Sequence, residues 1–226
     1  MTIWFASGNA NKKKELAEIL SAETEGLELK IPAEAGLDFG PEENANSFLG
    51  NAFIKAAMLH RLLKEKGILR EEDAIIADDS GICVDALGGR PGVHSAYYGA
   101  PGTTASCGCG CEDEPHEHEE ATPLTPKEQN DLLLKELGEN PLRSGRFFCS
   151  MVLYYSANRF FVAQETFEGE IVKETRGNGG FGYDPILYIP ALGRTVAELT
   201  AEEKNRWSHR GKAARMIARV LTDECR

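Results

Sequence analysis

The chain has 226 residues, of which 42% are hydrophobic and 27% charged, and its net charge is −11. Those values suit a globular protein with a well-filled core, built as one large domain or two lobes. They argue against a nucleic-acid polymer as partner, which needs basic stripes, and no apolar run approaches the ~20 residues that span a bilayer.

The opening stretch MTIWFASGNANKKKE has no basic region followed by a long apolar run, so no secretory signal is read and a cytoplasmic location is expected. Residues 2–6 (TIWFA) read as a short buried strand and SGNANK as a turn. In KKKELAEIL the apolar residues Leu16, Ile19 and Leu20 fall at helical spacing. LELKI (27–31) alternates like a strand, and residues 33–46 form a polar loop. The amphipathic stretch 47–64 is a helix capped by Ser47 or Asn46. AIIA (74–77) is a buried strand that ends at the pair Asp78–Asp79. Residues 86–102 are loop, and 103–126 are low in complexity. A helix runs from Lys127 to Leu137 with Pro126 at its start. Residues 146–155 and 159–167 are strong strands joined by the turn SAN, and 169–174 alternate again. GNGGFGYDP (177–185) is a loop, ILYI (186–189) a strand, and residues 200–221 one C-terminal helix opened by a Thr200–Glu203 capping box. This mixture predicts an α/β fold with a mixed sheet.

Four stretches carry candidate chemistry. The SGNANK turn leads into a helix N-terminus, where backbone N–H groups and partial positive charge suit phosphate. Gly8 allows close approach, and Lys12 to Lys14 add cations. The plainer reading is a capped helix with solvated lysines. Asp78 and Asp79 at a strand end can hold Mg²⁺ or activate a water; the plainer reading is a turn capped by Ser80. The glycine loop leaves Phe181 or Tyr183 free to stack on a planar base, or is a wide hairpin. Lys204, His209 and Arg210 sit at a helix start where they can hold phosphate or a purine carbonyl, or else form a solvated basic face.

In order, ASGNANKKKELAEIL, NAFIKA, IADDSGICVDALGGRPGVHSAYYG, GNGGFGYDPI and AELTAEEKNRWSHRGKA resemble the inosine triphosphate pyrophosphatase (Ham1-like) family over nearly the whole chain. The resemblance implies an elongated mixed sheet flanked by helices, with two lobes around a central cleft, spanning residues 1–226 as one domain. It implies Mg²⁺-dependent hydrolysis of noncanonical purine nucleoside triphosphates (ITP, dITP, XTP) to the monophosphate and pyrophosphate, by a homodimer. Carried over by position, Ser7, Gly8, Asn9, Lys12 and Lys55 would hold the triphosphate. Asp79 would be general base and Mg²⁺ ligand, with Asp78 beside it and Ser80 touching substrate. Glu43 would be the other metal ligand, with Glu42 as its neighbour. Phe181, Gly182, Tyr183 and Asp184 would form the base pocket, and Lys204, His209 and Arg210 would read the 6-oxo group.

Two stretches depart from that pattern. Gly50 stands where the family carries a Glu before NAFIKA. If that Glu supports the metal or a lysine, activity falls unless Glu42 or Glu43 suffices. Residues 105–121 (ASCGCGCEDEPHEHEEA) read as an insertion, and six of its acids leave the remaining chain at −5. Its Cys107, Cys109, Cys111, His116 and His118 could form a soft site for Zn²⁺, or an acidic loop of no special role. With Cys83, Cys149 and Cys225 the chain has six cysteines, and no disulfide framework is expected of them in a cytosolic setting. The alternatives are a Maf-type pyrophosphatase acting on other modified nucleotides, and a metal-binding or metal-sensing protein on an inactive pyrophosphatase scaffold.

Overall fold

A computed structural model describes residues 1–24, 26–100 and 124–224. The insertion residues Cys107, Cys109, Cys111, His116 and His118 lie outside the described residues. In chain order the elements are β1 (Thr2–Phe5), α1 (Ala10–Glu23), β2 (Glu28–Lys30), α2 (Phe48–Glu65), β3 (Ala74–Val84) and α3 (Pro126–Leu137). They continue with β4 (Ser144–Ser156), β5 (Arg159–Ile171), β6 (Leu187–Ile189), β7 (Arg194–Thr195), α4 (Ala201–Trp207) and α5 (His209–Glu224). The strands form a seven-stranded sheet in the order β2-β1-β3-β4-β5-β6-β7. Strand β1 is parallel to β2 and β3, and β6 is antiparallel to β5 and β7, so the sheet is mixed as the sequence predicts. No helix among the described residues is long and apolar enough to cross a membrane.

The chain divides into two compact units. The first takes in Met1–Gly81, Arg146–Glu168 and the residues from Leu199 onward; the second takes in the described parts of Ile82–Gly145 and Gly169–Glu198. In the first unit the two-residue strand period sorts alternate side chains to opposite faces. Ile3, Phe5, Ala74, Ile76, Met151 and Leu153 pack with Leu16 and Leu20 of α1 and with Ala214, Ile217 and Leu221 of α5. Trp4, Ala6, Ile75, Ala77, Val152 and Tyr154 pack with Ala52, Ala56, Leu59 and Leu63 of α2. Both faces are covered by helices, which is why these strands read as continuous apolar runs. In the second unit α3 opens at Pro126 as the sequence predicts, and Thr125 and Glu128 add a capping box that the sequence reading did not name.

Two predicted elements end elsewhere. Strand β3 does not stop at Ala77 but runs on to Val84, so Asp78 and Asp79 lie inside it and Ser80 caps no turn. What stops is the neighbour: β1 leaves after Phe5, and the Ala6 N–H to the Ile76 carbonyl (2.8 Å) is the last backbone link beside it. The C-terminal segment is two helices rather than one. Ser208 adopts an extended conformation (φ −67°, ψ 159°) that closes α4, and its Oγ accepts the Gly211 N–H at 3.0 Å to open α5. A side chain at 211 would place a Cβ 1.9 Å from the Asn205 carbonyl, so this joint needs glycine.

Candidate active site

Adjacent residues of a strand point to opposite faces, and that resolves the pairing of two aspartates on β3. Asp78 follows Ile76 onto the α1/α5 face. There its Oδ2 meets Lys12 Nζ at 3.1 Å and Arg210 Nε at 3.2 Å, and accepts the Ser80 hydroxyl at 3.3 Å. Asp79 follows Ala77 onto the α2 face. There Lys55 Nζ lies 3.3 Å from its Oδ1, and Asn51 Nδ2 donates to its Oδ2 at 3.1 Å. Asp78 is therefore addressed by α1 and α5 and Asp79 by α2, and neither relies on the other for a partner.

The two environments push the carboxyls apart. Asp78 is fully buried, which alone would raise its pKa, but Lys12, Arg210 and Lys55 outweigh burial and hold it well below the usual carboxylate range. For Asp79 burial wins over Lys55, Lys12 and Asn51, and its pKa is raised. Lys55 is also buried, yet Asp79, Asp78 and Glu43 more than offset that and keep it firmly protonated. Its Nζ lies 2.7 Å from Glu43 Oε2, so one ammonium joins Glu43 to Asp79.

The predicted phosphate turn is built by its own side chains. Asn9 caps α1, its Oδ1 accepting the Asn11 and Lys12 N–H groups at 3.0 and 3.1 Å, while Ser7 Oγ accepts the Asn9 N–H at 3.1 Å. A Cβ at Gly8 would meet nothing within 4 Å, so the space over this turn is open to a ligand. Two of the amides expected to face phosphate are thus taken by Asn9, and the cation the turn contributes is Lys12.

Sequence reading missed two residues that organise this unit. Glu15, one turn after Lys12, pairs with Lys204 Nζ at 2.8 Å and with Arg210 Nη1 at 2.5 Å. Its signal was helical spacing from Lys12, which looked like an ordinary solvated charge. Asn51 links Asp79 to the acidic loop, since its Oδ1 accepts the Ala45 N–H at 2.9 Å. Gly50 is where Ala45 packs: a Cβ there would lie 2.6 Å from the Ala45 Cβ. His209 stacks on Phe147 (5.0 Å, 23°), and its buried Nδ1 has no hydrogen-bond partner among the described residues. Burial, with Arg210 and Lys204 nearby, pushes its pKa well below the usual imidazole range.

The second unit holds the glycine loop. Phe181 is half-buried, but Tyr183 is not free to stack: it is 5% exposed and its hydroxyl donates to the Ser95 carbonyl at 2.8 Å. Burial raises its pKa accordingly. Asp184 is buried too, and its Oδ2 accepts the Phe181 N–H at 2.7 Å. Gly180 has φ +72°, and a Cβ there would sit 2.0 Å from Asp184 Oδ2, so the glycine admits the carboxylate that shapes the loop.

The Ham1 family model matches residues 3–220 of the chain. The chain is 41% identical to a dITP/XTP pyrophosphatase of Treponema denticola and 40% identical to one of Leptothrix cholodnii, covering 98% of this chain in both cases and 98% and 97% of those proteins. Among solved structures, a HAM1 protein from Coxiella burnetii is 32% identical with a TM-score of 0.77, covering 99% of each chain. A nucleoside-triphosphatase, dITP/XTP pyrophosphatase, from Mycobacterium abscessus is 32% identical with a TM-score of 0.65, covering 96% of this chain and 97% of that one.

Proposed function

The chain belongs to the Ham1 family, and on that premise we propose that it hydrolyses noncanonical purine nucleoside triphosphates, dITP, ITP and XTP, to the monophosphate and pyrophosphate. The observation that carries the catalytic assignment is the opposite fate of the two aspartates. Asp79, whose burial raises its pKa and whose oxygens accept from Asn51 and Lys55, is the carboxylate assigned to take the proton. Asp78, fully buried and held anionic, is a poor base and serves to fix Lys12 and Arg210.

In this reading Asp79 Oδ1 or Oδ2 accepts the proton of a water whose oxygen attacks the α-phosphorus. The bond from that phosphorus to the bridging oxygen breaks, and pyrophosphate leaves with the electron pair. Lys12 and Lys55 neutralise phosphate charge, and Ser7, Gly8 and Asn9 line the space left open over the turn. Positioning and charge account for most of the rate in phosphoryl transfer. The donor set fits Mg²⁺: Glu43 and Asp79 would offer hard carboxylate oxygens, brought together by the one lysine they share. Bound there, Mg²⁺ would supply charge neutralisation on the phosphate oxygens. Phe181 and Gly182 would face the base, with Tyr183 and Asp184 building the loop beneath them. By the resemblance, Lys204, His209 and Arg210 would read the 6-oxo group, with Glu15 holding Lys204 and Arg210 in place.

The family resemblance also supports a cytoplasmic homodimer, which sedimentation at working concentration tests. For the insertion, three thiolates and two imidazoles support Zn²⁺ binding; metal analysis of chelator-free protein tests it. An inactive scaffold is disfavoured by the intact Lys12, Lys55 and Asp79. The deciding experiment is pyrophosphate release from dITP, XTP, dATP and dGTP by wild type and Asp79→Asn. Release from dITP or XTP, little from dATP, and a drop of at least ~100-fold in the variant are expected. No release from dITP or XTP by wild type refutes the assignment.

A further inference from the structure

Helix α3 buries four positions, Gln129, Asn130, Leu133 and Leu137. The buried stripe of a surface helix is expected to be apolar, yet two of these four are amides. Both donate to backbone carbonyls: Gln129 Nε2 reaches the Ala96 carbonyl at 3.1 Å, and Asn130 Nδ2 reaches the Gly182 carbonyl at 3.1 Å. Gly182 lies between Phe181 and Tyr183, in the one stretch of this unit read as facing the base. Its neighbours are held as well, Tyr183 through its hydroxyl on the Ser95 carbonyl and Phe181 through its N–H on Asp184.

The Asn130 bond has a cost. The residue is 3% exposed, and its Oδ1 is buried with no hydrogen-bond partner among the described residues. Native folds rarely leave a buried acceptor unmet. A leucine at 130 would suit the stripe and remove this orphan, leaving the half-buried Gly182 carbonyl to solvent. A polar side chain kept in a core position against local stability marks a place where function sets the residue.

We propose that Asn130 is a positioning residue for purine recognition: it fixes the Gly182 carbonyl and thereby sets the plane of the Phe181 ring on which the base stacks. The inference rests on the pyrophosphatase reading given above. Asn130 acts through the backbone at 182 and touches no reacting phosphate. Its contribution is therefore equal in the ground and transition states and falls on KM rather than kcat.

The test compares wild type with Asn130→Leu and Asn130→Asp, both of which lack the donor. KM and kcat are measured for dITP and dATP, with the thermal midpoint and, by calorimetry, the Kd for IMP. Expected is a rise of about tenfold in KM for dITP and in Kd for IMP, with kcat changed by less than about twofold and the preference for dITP over dATP reduced in proportion. The midpoint of Asn130→Leu should equal or exceed that of wild type. A wild-type KM with a lowered midpoint, or equal losses in kcat and kcat/KM, overturns the inference. Wild type that fails to hydrolyse dITP removes the pyrophosphatase reading instead, and the IMP affinities still decide the role of Asn130.

Discussion

Replacing Arg210 by leucine tests the electrostatic core of the first unit. Arg210 is 2% exposed, and its guanidinium contacts Asp78 Oδ2 at 3.2 Å, Glu15 Oε2 at 2.5 Å and the Ser80 hydroxyl at 2.8 Å. Burial would lower the arginine pKa, but Asp78 and Glu15 raise it, so the charge is favoured where it sits. Removing it leaves Asp78 wholly buried with Lys12 as its remaining cation in direct contact, and Glu15 with Lys204. Breaking one side of a buried ion pair costs about 3–5 kcal/mol, because a charge is left uncompensated. Asp78→Asn should cost less, about 1–3 kcal/mol, since Arg210 keeps Glu15 and Lys12 is partly exposed. The double variant should then cost less than the two singles together by about 1–3 kcal/mol. Urea denaturation at neutral pH measures all three. Additive costs, or a loss below about 1 kcal/mol for Arg210→Leu, would refute the reading of Asp78 as a buried anion held by Arg210.

His209 predicts a pH dependence. Its folded pKa is depressed, so the unfolded chain takes a proton that the native state refuses. Stability from this group is intact above the unfolded value of about 6.5 and is lost as pH falls below it, at up to about 1.4 kcal/mol per pH unit. His60, whose pKa burial lowers, acts in the same direction. His209→Gln should flatten the stability profile between pH 7 and 5 relative to wild type; an unchanged slope refutes it. At Gly50, alanine should bring none of the ~1 kcal/mol that helix propensity offers, because its Cβ meets Ala45. Turnover should fall as the loop carrying Glu43 shifts, and Ala45→Gly should restore it; urea denaturation and pyrophosphate release check both. A Gly50→Ala variant that is stabilised and fully active contradicts the contact.

Much of the site was legible locally. The α1 turn and the Thr200–Glu203 cap follow from side chains that bond their own backbone within three residues, and the Pro126 helix start from proline's fixed φ and missing N–H. Lys12, Lys55, Asp78, Asp79 and Arg210, named from motif order, do gather in one unit.

What the chain by itself determined was this set of residues; the alternation that splits Asp78 from Asp79 needs β3 to run past Ala77, which the sequence reading did not expect. Tertiary structure alone decided three further things. The length of β3 is set by pairing with neighbours that lie far off in sequence. Glu15 and Asn51 gained their roles only when Arg210 and Asp79, 195 and 28 residues away, came within hydrogen-bonding reach. The resemblance named Asp79 as base, but the difference between the two carboxyls was open, because burial and the surrounding cations pull a carboxyl in opposite directions, and their balance exists only once the helices are packed.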